Sequence, residues 1–258
     1  MKNSKIEKIA NNLSKAFISN KVISSIPEKY TKNMKEAEKL RKLCESKIKQ
    51  PIIGFKAGGT GIPVLKKLGE KEPFYASIFK NNVLASGKSV RINNYTLGIE
   101  LEVGYLIKKN FFRSKGLINF KNIHKHISYM LPAIEVVGYR QKKKGIKFLG
   151  DLCSDFGANI KFVVGRKKKY KRINFGKLKT NIENKKIKQL VNGHSNTVYI
   201  NPINSLKFVL NKLRKDKIIL NKEFYVFTGS TIGVAPILGK GNYRGRIDKL
   251  GSVKVKII

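Results

Sequence analysis

The chain has 258 residues, 41% of them hydrophobic, which suffices for one large domain and argues against wholesale disorder. No stretch reaches the roughly 20 apolar residues that span a bilayer, and Met1-Lys-Asn-Ser-Lys-Ile-Glu-Lys lacks the apolar core of a secretory leader. The formal net charge of +39 raises polyanions as partners, but the surplus is scattered along the chain with abundant Ile and Asn, as AT-rich codons would produce, so nucleic acid is not the expected partner.

In chain order, residues 1–50 read as a helical region. Ile6, Ile9, Ala10, Leu13 and Phe17 recur at helical spacing, as do Ala37, Leu40, Leu43 and Cys44, and Pro27 separates the two segments. From Pro51 the texture changes to short apolar runs between Gly, Asn and Lys. These predict strands over 52–56, 97–107, 133–137, 159–164, 224–228 and 252–258. Helices are expected over 120–130 and 202–213, the second opened by Pro202 and striped by Ile203, Leu206, Val209, Leu210 and Leu213. The basic runs Lys142-Lys-Lys144 and Arg166-Lys-Lys-Lys-Tyr-Lys-Arg172 suit loops or strand edges. With no repeats and no long linker, an α+β fold built on a mixed sheet system over 51–258 is expected. Cys44 and Cys153 match no metal or redox spacing, which fits a reducing cytoplasm.

Glu100 and Glu102 are the most informative residues. They lie one residue apart in the strand-like run Thr96-Leu-Gly-Ile-Glu-Leu-Glu-Val-Gly-Tyr-Leu-Ile107, so both point to one face while Ile99, Leu101 and Val103 point to the other. Their Cα atoms lie roughly 6–7 Å apart, a span from which two carboxylates converge on one ion. Two like charges among apolar neighbours repel unless a cation sits between them. Glu135, in Leu131-Pro-Ala-Ile-Glu-Val-Val-Gly138, is a third acid in an apolar strand. A salt bridge to lysine is its competing reading. Three carboxylates without His or Cys describe a hard-oxygen site suited to Mg²⁺ or Mn²⁺.

Lys56 sits in Gly54-Phe-Lys-Ala-Gly-Gly-Thr-Gly61, where glycines permit close backbone approach and a lysine can hold a carboxylate or move a proton. The segment is not a phosphate-binding loop, because the G-x-x-x-x-G-K order is missing. His124 and His126 read as surface residues, and His194 as part of a turn that could border a pocket.

Glu100-x-Glu102, Leu131-Pro-Ala-Ile-Glu135-Val-Val-Gly, Asp151-Leu-Cys-Ser-Asp155, Asn201-Pro-Ile-Asn204, Thr228-Gly-Ser230 and Leu250-Gly-Ser-Val253 together resemble the fumarylacetoacetate hydrolase-like superfamily. Lys56-x-Gly58, followed by Leu68-Gly-x-x-Glu-Pro73-x-Tyr75, directs the likeness to 2-keto-4-pentenoate hydratases and 4-oxalocrotonate decarboxylases. It runs from about residue 5 to the end. The resemblance implies a fumarylacetoacetate hydrolase C-terminal-domain-like mixed β-roll with a helical N-terminal region, one divalent cation (Mg²⁺ or Mn²⁺) and a cytoplasmic homo-oligomer. By that likeness Glu100, Glu102 and Glu135 are metal ligands, Lys56 is catalytic, and Gly58, Thr228 and Gly229 contact substrate. The implied reaction is a hydro-lyase step of aromatic catabolism, adding water to 2-hydroxypenta-2,4-dienoate or a similar short 2-oxo acid.

The chain departs from the family pattern at Phe74, where hydratases often carry an acid, at Phe156 and Ala158, where an amide and a hydroxyl are lost, and at Gly98, which replaces an arginine. Decarboxylation of 4-oxalocrotonate-type diacids, which would use the same cation and lysine, is one alternative, and these losses motivate another, a catalytically degraded polyanion-binding protein. The C–C hydrolase branch ranks below these, since no histidine precedes position 124 to activate water from an early helix.

Overall fold

The computed structural model describes residues 2–19, 21–142 and 145–258, so of the run beginning at Lys142 the residues Lys143 and Lys144 lie outside the described residues. Two helices open the chain, α1 (Lys2–Ser19) and α2 (Met34–Ser46). Asn33 caps α2, its Oδ1 accepting from the Lys35 amide at 2.9 Å. Ile6, Ala10, Leu13 and Phe17 of α1 pack with Leu40 and Cys44 of α2 onto Phe79 and Phe156, so the two helices share a core with the body of the chain.

The next elements are β1 (Ile52–Gly58), α3 (Ile62–Lys67), β2 (Phe74–Phe79), β3 (Val83–Ala85), β4 (Ser89–Val90) and β5 (Thr96–Ile107). Then come β6 (Ile127–Gly138), α4 (Leu149–Ser154), β7 (Asn159–Val164), β8 (Lys168–Lys169), β9 (Lys179–Asn184) and β10 (Gln189–His194). The chain closes with α5 (Pro202–Lys215), β11 (Phe224–Ser230), β12 (Gly241–Ile247) and β13 (Gly251–Ile257).

One mixed sheet runs β2-β1-β11-β5-β6-β7-β3, with β8 added on β6; a second runs β10-β9-β12-β13-β4. The β1–β11, β3–β7 and β13–β4 pairs are parallel and the others antiparallel. The main core lies between the sheets: Ile99, Leu101, Val103, Ile134 and Val136 face Tyr243, Ile247, Val253 and Val255. Alternation therefore commits the other face of β5 and β6 to Glu100, Glu102 and Glu135. On that face Phe162 and Phe227 stack at 3.9 Å between centroids.

The segment 120–130 is not a helix. Asn119 and Asn122 tie up the backbone there, Asn119 Oδ1 accepting from the amides of Lys121 and Asn122, which leaves only the 3₁₀ turn Ile123–His126 before β6 begins. His126 is buried rather than exposed, its ring edge-on to Phe111, and burial followed by the Arg214 charge lowers its pKa to about 4. His124 is half-buried and stacks on Tyr170. The exposed basic run 166–172 carries the edge strand β8.

Strands β2, β3, β4, β8, β9, β10 and β12 had no strand expectation: in β9, β10 and β12 the Lys, Asn and Gly content masks the period, β2 is a short run buried on both faces, and the other three span only two or three residues. Helix α4 is short and bears against α2. A Cβ on Gly150 would collide with the Thr31 carbonyl and come within 2.9 Å of Ala37 Cβ. Gly150→Ala should cost about 1–3 kcal/mol in chemical denaturation as α4 is pushed off α2; an unchanged midpoint would refute that contact.

Candidate active site

The three glutamates converge. One carboxylate oxygen from each of Glu100, Glu102 and Glu135 lies within 4.8 Å of the others. Glu100 and Glu135 are direct cross-strand partners on β5 and β6, and Glu102 stands two residues along the same face. Glu102 and Glu135 are fully buried and Glu100 is half-buried.

Lys56 joins them from β1. Its Nζ donates to both oxygens of Glu135, at 2.6 and 2.8 Å, and to the Gly157 carbonyl at 3.0 Å. All three ammonium hydrogens are thereby used. Asn159 Nδ2 adds a bond to Glu135 Oε1 at 3.2 Å. The competing reading of Glu135 as a lysine partner is thus realised together with its place in the carboxylate cluster. In the sheet order two strands, β11 and β5, stand between β1 and β6. A flat sheet would hold their backbones about 14 Å apart, so this ion pair exists only because the sheet is curled.

Glu102 is held differently. The β11–β5 register shifts between Phe227 and Ser230, and in that bulge the Gly229 amide donates to Glu102 Oε2 at 2.6 Å instead of to a ladder carbonyl. Gly229, at φ 104°, adopts a conformation that favours glycine, and a Cβ there would strike Thr60. Glu102 Oε1 is buried with no hydrogen-bond partner among the described residues.

A chain segment with unusual backbone completes the cluster. Phe156, Gly157 and Ala158 are all left-handed, with φ of 51°, 70° and 55°, and this turn aims the Gly157 carbonyl at Lys56 and delivers Asn159 to Glu135. Left-handed backbone costs a non-glycine residue about 1–2 kcal/mol, so the strain is invested where the charged groups need partners.

Three carboxylates against one ammonium leave two negative charges, the complement of a divalent cation. Without one, burial and the charge of Glu135 push Glu100 up to about 8 and Glu102 well above the usual carboxylate range. Burial alone would lower the Lys56 pKa, but Glu135, then Glu100 and Glu102, outweigh it and raise it. The orphaned Glu102 oxygen, the charge balance and the all-oxygen donors fit a hard divalent ion.

A cavity of about 580 Å³ opens beside the cluster, bordered by Lys56, Gly58, Gly59, Thr60, Glu100, Gly157, Ala158, Gly229 and Ser230. Gly58 and Gly229 therefore lie in its wall. Thr228 does not: it is fully buried, and its hydroxyl donates to the Val103 carbonyl at 2.8 Å. His194 turns inward to cap a 3₁₀ turn, its Nδ1 accepting from the Asn196 amide, and its neighbours Asn196 and Thr197 border the cavity. Asp151 and Asp155 serve the scaffold. Asp151 accepts from the amides of Lys147 and Phe148 at the start of α4, and Asp155 pairs with buried Arg140. Asn159 and the Gly157 carbonyl were missed in the sequence, where the only signal was a polar residue opening an apolar strand.

No known family's sequence profile matches the chain. A 2-keto-4-pentenoate hydratase from Burkholderia vietnamiensis is 23% identical over 205 residues, covering 79% of this chain and 77% of that protein. Another from Paraburkholderia xenovorans is 24% identical over 115 residues, spanning only 42% of that protein. Among solved structures, the 4-oxalocrotonate decarboxylase of Pseudomonas putida G7, complexed with magnesium and adipate, superposes with a TM-score of 0.85 at 18% identity, over 100% of this chain and 99% of the other. The fumarylpyruvate hydrolase of Pseudomonas aeruginosa, in complex with Mn²⁺ and pyruvate, matches with a TM-score of 0.57 at 14% identity over 81% of this chain and 91% of the other. The chain thus shares the fold of these enzymes and of a fumarylacetoacetate hydrolase family protein from Yersinia pestis, which matches with a TM-score of 0.55 at 13% identity over 82% of this chain and 95% of the other.

Within this fold, the positions that depart from the hydratase pattern have structural reasons. Phe74 packs its ring over Gly58, where any Cβ would collide with it, and closes one side of the cavity. Phe156 is buried against Phe17, 4.3 Å between centroids. Gly98 lies against β11's continuation, where a Cβ would come within 2.8 Å of Val234 Cγ1. A larger residue at position 98 is excluded by this chain path.

The electrostatics make two outcomes measurable. Lys56→Met strands the buried Glu135 charge and should cost about 3–5 kcal/mol in cation-free urea unfolding; a loss below about 1 kcal/mol would contradict the ion pair. The raised pKa of Glu100 means the folded protein keeps a proton that the unfolded chain releases above its ordinary value of 4.5. Cation-free stability must therefore fall as pH rises from there toward about 8. Glu100→Gln should flatten this fall and raise the cation-free Tm at the upper end by roughly 2–4 °C, equivalent to about 1 kcal/mol. An unchanged pH profile in scanning calorimetry would count against the shared burial of these acids.

Proposed function

We propose that this protein is a divalent-metal-dependent hydro-lyase acting on 2-hydroxypenta-2,4-dienoate or a similar short 2-oxo acid. The observation that carries the reading is the buried three-carboxylate cluster with one unpartnered oxygen, Glu102 Oε1, beside a lysine and an open cavity. Glu100, Glu102 and Glu135 would hold the cation, Mg²⁺ or Mn²⁺ by donor type. When bound, the ion supplies charge neutralisation for a substrate carboxylate and the oxygen next to it.

The chain's own residues do the rest. The ammonium of Lys56, kept protonated by its acidic neighbours, enters as a proton donor or carboxylate anchor rather than as a base. Of its three acceptors only the Gly157 carbonyl is uncharged, so that bond is the one most readily exchanged for substrate. Gly58 and Gly59 present bare backbone to the cavity and let a planar acid approach closely. The hydratase relative supports the reaction class. A diacid decarboxylase would use the same cation and lysine, so it stands as the second reading.

Purified protein should bind Mg²⁺ or Mn²⁺ at one site per chain and consume the dienol with loss of its ultraviolet absorbance. Glu102→Gln should abolish tight cation binding and reduce turnover by roughly a hundredfold or more. Cation binding that survives in this variant would show the site to be wrongly assigned.

A further inference from the structure

We propose that, among the short 2-oxo acids of the proposed function, the cavity favours monoacids whose chain runs on as hydrocarbon past the fifth carbon over the bare five-carbon acid, and that it rejects the matching diacid. The inference rests on the proposed function and adds the shape and polarity of the substrate's far end. Beyond Lys56 and Glu100 the wall changes character: Ile62, Val64, Leu97, Leu152 and Val234 line it. Three of these are large apolar side chains left open to solvent, Val64 at 39%, Leu97 at 40% and Val234 at 50% exposure. They come from α3, β5 and the segment after β11, so three separate parts of the chain bring apolar surface to one rim. A ligand with an apolar tail would cover them.

The charge pattern points the same way. Lys and Arg make up 55 of the 258 residues, yet among the described residues bordering the cavity Lys56 is the one cation; two of its hydrogens are held by Glu135, and its one exchangeable bond, to the Gly157 carbonyl, serves the carboxylate end. A second carboxylate at the far end would lose its water and meet no positive partner. Apart from Lys56 and Glu100, the polar side chains of the wall, Thr60, Asn196, Thr197 and Ser230, are neutral. A volume of about 580 Å³ also exceeds what a five-carbon acid fills and falls in the range that encloses larger ligands.

Calorimetric titration of the Mg²⁺-loaded protein tests this with four probes: 2-oxobutanoate, 2-oxohexanoate, 2-oxooctanoate and 2-oxoadipate. Affinity should rise along the monoacids by about threefold per methylene, and 2-oxoadipate should bind at least about tenfold more weakly than 2-oxohexanoate. Monoacids of equal affinity, or 2-oxoadipate matching 2-oxohexanoate, would overturn the inference while leaving the cation-dependent reading intact. No Mg²⁺-dependent binding of any probe would overturn that reading, and this inference with it. Val64→Arg, at an exposed rim position, should bring 2-oxoadipate level with or above 2-oxohexanoate. An unaltered ratio would refute the placement of the tail.

Discussion

The ion pair between Lys56 and Glu135 is the interaction on which the site depends. It joins residues 79 apart in sequence, on strands separated by two others in the sheet. Curling the sheet brings the two side chains together, and once buried they must stay together, because either charge left alone would be prohibitive in that environment. Fold and site are therefore not separable here. The curvature that closes the core between the sheets is the curvature that closes the cluster.

Around this pair the protein accumulates negative charge where it can least be solvated. Three carboxylates share one face, and local irregularities rather than regular ladders supply their partners. A bulge frees the Gly229 amide for Glu102, and a left-handed turn gives Lys56 the Gly157 carbonyl and Glu135 the Asn159 amide. Both devices sacrifice backbone regularity to support buried charge, a pattern expected of sites that must stay poised for a ligand. The rest of the chain is strongly basic, so the concentration of acid at one buried point runs against the composition as a whole.

The apolar substitutions fit the same frame. Phe156 packs against Phe17 of α1, while Phe74 covers Gly58 and closes one side of the cavity. Phe74 and Ala158 put apolar groups into the cavity wall, whereas Phe156 is buried against α1 and does not line it. The cluster and the cavity consequently have opposite characters, one ionic and enclosed, the other largely hydrocarbon and open.

Much of this was legible in the residues, and the limits were physical. Alternation in β5 placed Glu100 and Glu102 on one side, and α5 was signalled by Asn201, Pro202 and its apolar stripe. The error over 120–130 arose because apolar residues there satisfy helical spacing locally, whereas pairing with β5 along most of β6 decides the outcome. Thr228 looked available beside Gly229, but the bulge turns its hydroxyl to Val103. By itself the sequence determined which groups are charged, which face each strand residue takes and where the backbone is free to bend, because these depend on near neighbours. Only the tertiary structure decided which lysine meets which glutamate, which oxygen stays without a partner and which apolar side chains share a rim, because those depend on how a curled sheet brings distant strands into contact.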